Sequence, residues 1–375
     1  LNGSLPWPES ATTATLLQHH RTGLPPLQLA DSGLEHAVNS ILAGATATDP
    51  GNRPATITEF AAELAGSISS QPPRTSTTQA VNPYRGLAAF EEPDAPFFFG
   101  REDLVATVAA KLREQPLALL VGPSGSGKSS LLRAGVIPEL RSEGSLPVLV
   151  TPSADPIGSL VSALESIATT SGSIRAALDS GTPLAAIAER IAPGSHVVIT
   201  VDQMEELFTL ASDEDAETLL AVLASSVTAN DGNLTVVASI RADFFGHPLA
   251  SPSFGALAGP ATVTIGPMRA EQLAAAISDP ARVSGVEVEE ALVAELAAET
   301  AGRSGSLPLM QFALTRAWDE RSGSTVTLED YERLGGLTGT LVRSAEAIWE
   351  HLGASDQVAA RRLLPRLVQI GDEAG

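Results

Sequence analysis

Eight consecutive residues carry the most specific chemistry in this chain: Gly122-Pro123-Ser124-Gly125-Ser126-Gly127-Lys128-Ser129. A glycine-rich loop between a strand and a helix brings backbone N–H groups around an anion, and the helix N-terminus adds partial positive charge. By that mechanism Lys128 reaches the β- and γ-phosphates of a nucleotide, the Ser129 hydroxyl coordinates Mg2+, and Ser130 is counted with the cradle. Only Lys111 and Lys128 are lysines, so a lysine in this slot is not compositional background.

Phosphate chemistry of this kind needs a carboxylate at the end of another strand to hold the Mg2+ shell, and often a second to orient the attacking water. Asp202 ends the apolar run Val197-Val198-Ile199-Thr200-Val201, where a charge is costly unless a cation meets it. Gln203 follows, then Met204, Glu205 and Glu206. Glu205 is the first choice for orienting water and Glu206 the second; both also suit the first turn of a helix. Arg241 stands at the tip of a further strand, before Ala242 and Asp243. There its forked guanidinium can read a γ-phosphate or pair with Asp243.

Short apolar runs at 117–121, 148–151, 197–201, 235–240 and 262–265, alternating with helical text, predict an α/β domain with a five-stranded parallel sheet covered on both faces. That domain spans residues 81–268. Helical text at 270–277, 289–301, 309–318, 328–334, 341–351 and 358–368 predicts a helical part that follows Pro267. Phe97-Phe98-Phe99 reads first as core. Gly305-Ser306-Leu307-Pro308-Leu309 reads as a turn between helices whose proline can press on a purine. Residues 67–80, rich in Ser, Thr and Pro, form a linker. Before it, 34–42 and 57–64 read as helices around the turn Asp49-Pro50-Gly51-Asn52. No internal repeat is visible.

The 375 residues suffice for two or three cores, and 43% apolar against 18% charged residues is a globular balance. A net charge of −21 weighs against nucleic acid and membrane surfaces as partners. The absence of cysteine removes disulfides and thiolate sites. No stretch is long and apolar enough to span a bilayer and no signal pattern is present, so a cytoplasmic location is expected. A first residue other than Met and an abrupt stop at Gly375 suggest that both ends are cut from a longer chain.

Taken together, Phe99-Gly100-Arg101-Glu102, the phosphate loop, Asp202 to Phe208, Ser239 to Phe244 and 305–309 resemble a bacterial STAND NTPase. More narrowly they resemble the novel STAND group, which opens with Asn82-Pro83-Tyr84-Arg85-Gly86-Leu87. The resemblance implies a signal-transducing ATPase that is closed with ADP, opens with ATP and self-associates when open. It implies that Gly100 and Arg101 lie against the nucleotide, that Arg241 senses the γ-phosphate and that Pro308 packs on adenine. Residues 269–326 would be a helical lid and 327–375 would begin a winged helix, and sensor repeats would follow in the parent chain. Residues 1–66 resemble the C-terminal end of a eukaryotic-like serine/threonine kinase, on Leu5-Pro6-Trp7, Asp49 to Pro54 and Thr58-Glu59-Phe60. Without a catalytic loop that piece cannot phosphorylate. Two other readings stay open: a nucleotide-dependent scaffold that hydrolyses almost nothing, and a transcription regulator acting through the winged helix.

Overall fold

The computed structural model describes residues 81–168, 173–228, 233–303 and 305–367. The chain divides into Leu1–Gln79 and Ala80–Gly375, and every described residue belongs to the second unit. The kinase-like segment at 1–66 and the linker therefore lie outside the described residues.

Five strands form one parallel sheet: β1 (Leu117–Gly122), β2 (Leu146–Val150), β3 (Val197–Val201), β4 (Leu234–Arg241) and β5 (Thr262–Thr264). Their order is β2-β3-β4-β1-β5. Every residue of β1 and β3 is buried, which follows from continuous apolar runs that hide both faces. The two-residue period divides them between two cores. Leu119, Ile199 and Val236 face Leu160, Leu164 and Leu220, while Leu120, Val198 and Val237 face Val108, Leu131 and Leu132.

Helices supply the crossovers that parallel neighbours require. Helix α1 (Glu102–Glu114) leads into β1. Helix α2 runs through Lys128–Ser130, a π-helical stretch Leu131–Val136 and Ile137–Ser142 to reach β2. Then α3 (Pro156–Glu165), α4 (Ile174–Asp179) and α5 (Leu184–Ile191) connect β2 to β3, and α6 (Asp213–Thr228) connects β3 to β4. Asp155 starts α3 by accepting the Gly158 N–H at 2.8 Å, and Ser173 starts α4 by accepting that of Ala176 at 3.1 Å. Short helices α7 (Gly246–Ala250) and α8 (Gly255–Ala261) lead to β5.

The helical part comprises α9 (Ala270–Val283), α10 (Glu290–Thr300), α11 (Ser306–Glu320), α12 (Leu328–Leu334), α13 (Gly336–His351) and α14 (Ala354–Leu367). Its core joins Leu273, Ile277, Leu292, Leu314, Trp318, Tyr331, Leu334 and Leu337. Packing is thus continuous past residue 326, where the sequence suggested a new unit. A parallel pair, β6 (Glu287–Val288) with β7 (Thr325–Val326), was not foreseen because two residues show no period. Helix α11 starts at Ser306, earlier than expected, because Pro308 stands in its first turn where no N–H has an intrahelical partner.

A strap of residues 81–91 crosses both parts. Tyr84 is buried in the helical core, its ring edge-on to Trp318 at 5.9 Å and its hydroxyl donating to the Ile277 carbonyl. Asn82 donates to the Thr315 carbonyl at 3.2 Å, and the Phe90 N–H donates to Ser130 Oγ at 3.1 Å.

Candidate functional site

The functional side chains collect at the C-terminal edge of the sheet, where an open parallel sheet has its crevice. Because β4 lies between β1 and β3, Gly122 pairs with Arg241 and Val201 with Ala238. The phosphate loop, the arginine tip and Asp202 are therefore neighbours. A cleft of about 240 Å³ opens there, lined by 124–130, Gln203, Glu205 and Arg241. Leu87, Phe90, Phe97, Met268, Pro308 and Met310 also line it.

Within the loop, Lys128 is buried and donates to the carbonyls of Gly122 (3.0 Å) and Pro123 (2.8 Å). Burial pulls its ammonium below the ordinary lysine value, with Glu205 and Asp202 pulling the other way. Ser126 Oγ is buried without a hydrogen-bond partner. Gly125 has φ +72°, and a Cβ there would stand 2.8 Å from the Cα of Gly305, so the loop and the start of α11 touch backbone to backbone.

Asp202 is fully buried at the centre of a donor set. Its Oδ1 accepts from Ser129 Oγ (3.0 Å), Ser239 Oγ (2.6 Å) and the Gln203 N–H (3.0 Å), and Oδ2 accepts from Arg133 Nε (2.9 Å). Arg133 also reaches Glu91 at 2.7 Å. Desolvation lowers the Arg133 pKa, but Asp202 and Glu91 outweigh it and hold the guanidinium above its ordinary value. Gln203 has φ 54°, the one positive φ outside glycine among the described residues, and this turn aims it into the cleft.

The two glutamates separate. Glu205 lines the cleft and accepts the Arg241 N–H at 3.2 Å, whereas Glu206 is not part of the lining. Desolvation, then the charges of Glu205 and Asp202, push the Glu206 carboxyl above its usual range. Arg241 lines the cleft and also makes a two-pronged pair with Asp243 (3.1 and 2.5 Å), lying 5.3 Å over Phe244. Of the two expectations for Arg241, the pairing with Asp243 is the one seen here.

Gly100 and Arg101, which the resemblance implies lie against the nucleotide, both have protein contacts here. Gly100, at φ +84°, is pressed on the Gln272 carbonyl of α9 and does not line the cleft. Arg101 lines it, but its guanidinium turns behind the loop to the carbonyls of Gly266 (2.9 Å) and Ser126 (3.4 Å). Pro308 lines the cleft. Sequence reasoning passed over Arg133, although it lies one helical turn after Ser129, the spacing at which two side chains share a face.

The arrangement suits a nucleotide and Mg2+. With its proton given to Asp202, Ser129 has lone pairs left for a cation, and the first N–H groups of α2 have no partner within the helix. Among the described residues no cluster of three His, Asp or Glu could hold a metal alone, so the phosphates would complete the shell.

A parallel sheet with this loop, a buried acidic strand end and an arginine-tipped strand between them defines a P-loop NTPase. Residues 83–375 match the family described as Novel STAND NTPase 1, and the chain belongs to that family. No curated protein matches it in sequence. Among solved structures it is similar to the Walker-type ATPase of Pyrococcus abyssi, with a TM-score of 0.45 and 18% identity over 74% of this chain and 79% of that one. It is also similar to the Aeropyrum pernix ORC1 protein in complex with DNA (TM-score 0.43, 20% identity, 70% and 71% covered). A third is domain III of the Thermotoga maritima replication initiation protein DnaA (0.42, 15%, 64% and 95%). Among the described residues no helix is long and apolar enough to cross a membrane.

Proposed function

We propose that this chain is an ATP-dependent switch that hydrolyses ATP slowly and whose lid angle follows nucleotide state. The observation that carries the reading is the shared cleft: residues of the sheet domain and of α11 wall it together, with Gly125 against Gly305. In this reading Lys128 and the loop N–H groups hold the β- and γ-phosphates, and Ser129 and Asp202 hold the Mg2+ shell. Bound Mg2+ supplies charge neutralisation on the phosphates. Glu205 orients the attacking water, and Arg241 exchanges Asp243 for the γ-phosphate. Pro308 packs on the purine, and Arg101 stiffens the loop from behind. ADP keeps the closed form and ATP opens it toward self-association. A kinase unit ahead of residue 67, sensor repeats after residue 375 and a winged helix from 327 belong to the same proposal, supported by the sequence resemblance.

Single-turnover ATP hydrolysis tests it. Lys128→Ala should weaken nucleotide binding, and Glu205→Gln should keep binding while slowing hydrolysis by about 10²-fold or more. If neither substitution changes affinity or turnover, the reading fails. Gln203, turned into the cleft directly after Asp202, favours a second reading: a nucleotide-bound scaffold with almost no turnover. Sustained turnover that Glu205→Gln abolishes would exclude the scaffold.

A further inference from the structure

The two oxygens of Asp202 are unequally loaded. Oδ1 accepts from Ser129 Oγ, Ser239 Oγ and the Gln203 N–H, while a carboxylate oxygen has lone-pair room for about two donors. Oδ2 accepts from Arg133 Nε alone among the described residues. Any further contact to this carboxylate must therefore come at Oδ2, where the guanidinium stands. Together the four groups cover Asp202, which is fully buried and does not line the cleft.

Of the four, Arg133 is the one with somewhere else to go. Ser239 is fully buried and the Gln203 N–H is backbone, whereas the Arg133 side chain is partly exposed and its Nη1 already donates to Glu91 at 2.7 Å. The strap holds Glu91 for this contact. The Glu91 N–H donates to Oδ2 of the buried Asp94 at 2.9 Å, and Arg85, next to Tyr84, donates to the same oxygen at 2.7 Å. Arg133 also lies in the π-helical stretch of α2, a departure from α geometry that occurs mostly as single turns at functional sites.

We propose that Arg133 is a latch on Asp202: it holds Oδ2 until the carboxylate joins the Mg2+ shell of a bound nucleotide, and then retreats to Glu91. This rests on the nucleotide-site reading above. Arg133 acts through Asp202 and is thus a positioning residue. Because two cations compete for one oxygen, the latch lowers the affinity gained from Mg2+, and Glu91 offsets part of that loss by giving the released guanidinium a partner.

The test is equilibrium binding of β,γ-imido-ATP to the 375-residue chain, with Mg2+ and with EDTA. The ratio of the two affinities is the gain due to Mg2+, and each variant is its own reference. Arg133→Met has no latch to open, so its gain should exceed that of wild type about 10-fold, the factor made by a charge-assisted hydrogen bond that need not be broken. Arg133→Lys keeps the cation and should stay near wild type. Glu91→Gln should lower the gain about 2–3-fold, as an exposed pair does, and should have no effect when combined with Arg133→Met. A residue that only supports the fold would lower the gain on either substitution. The proposal is overturned if Arg133→Met gains no more than wild type, if Arg133→Lys shows the same increase, or if the Glu91→Gln effect survives in the Arg133→Met background. Should Arg133→Met not fold, the other two decide: a lowered gain in Glu91→Gln with a wild-type gain in Arg133→Lys supports the latch, and any other pair of results overturns it. If the analogue does not bind, or Lys128→Ala binds it as well as wild type, the nucleotide-site reading falls and the latch with it. Binding that depends on Lys128 with a gain indifferent to Arg133→Met removes the latch alone.

Discussion

Replacing Arg133 with methionine removes the one cation bonded to Asp202 among the described residues while keeping the aliphatic stem. Asp202 is fully buried, and Arg133 Nε is 2.9 Å from its Oδ2. Breaking a buried pair from one side costs about 3–5 kcal/mol when the remaining charge is uncompensated. Two features reduce that here. Ser129, Ser239 and the Gln203 N–H still donate to Oδ1, and Arg133 is 21% exposed, so water can reach the vacated place. The Glu91 end of the bridge is 48% exposed and contributes less than about 1 kcal/mol. The expected loss is about 2–3 kcal/mol.

Urea denaturation followed by circular dichroism measures it, provided the slope is unchanged between variants. Combining Arg133→Met with Asp202→Asn neutralises both partners, so the double variant should be more stable than the sum of the single losses by about 2 kcal/mol. Additive losses, or a loss below about 0.5 kcal/mol for Arg133→Met, would show that the three donors on Oδ1 already satisfy the carboxylate.

Two further substitutions probe the lid contact and the sheet. Gly125→Ala forces a left-handed residue to carry a Cβ and drives it onto Gly305, so it should cost about 1–2 kcal/mol and speed amide exchange at the start of α11. Gly305→Ala, at φ +76° with nothing within 4 Å of its Cβ, should cost stability without that local exchange. Burial lowers the pKa of His196, at the foot of β3, below the ordinary value of about 6.5. Its neutral form is thus favoured in the fold. The stability it contributes is present above the unfolded pKa and is lost as pH falls through about 6.5 toward the lower folded value. Urea midpoints measured from about pH 8 to about pH 5 should fall less in His196→Gln than in wild type; parallel curves would refute this.

What could be read from the sequence was local. The loop at 122–129 is legible because glycine spacing, lysine and hydroxyl are contiguous, and Asp202 because a charge ends five apolar strand residues. The order of the strands was not legible, since β1, β3 and β4 share one composition and nothing in their residues says which lies in the middle. That order makes Asp202 and Arg241 neighbours of the loop. Arg133 reads as an ordinary helix residue for the same reason: it gains its meaning from Asp202, brought to it over a long sequence distance. Gly100 shows the converse, a residue whose motif suggested the nucleotide and whose positive φ serves packing on α9.

These long-range contacts form a continuous chain of bonds around the cleft. Asn82 and Tyr84 fix the strap to α11 and α9 of the helical part, through Thr315 and Ile277. Further along, Phe90 bonds Ser130 in the first turn of α2, and Glu91 bonds Arg133, which bonds Asp202. A lid that swings must either carry the strap with it or break one of these links. The buried Tyr84 anchor is harder to break than the half-exposed Glu91–Arg133 pair, since its loss would vacate the core beside Trp318. Lid motion should therefore be felt first at Arg133, and through it at the carboxylate that faces Ser129. By this geometry the strap ties the two walls of the cleft, as the Gly125–Gly305 contact also does.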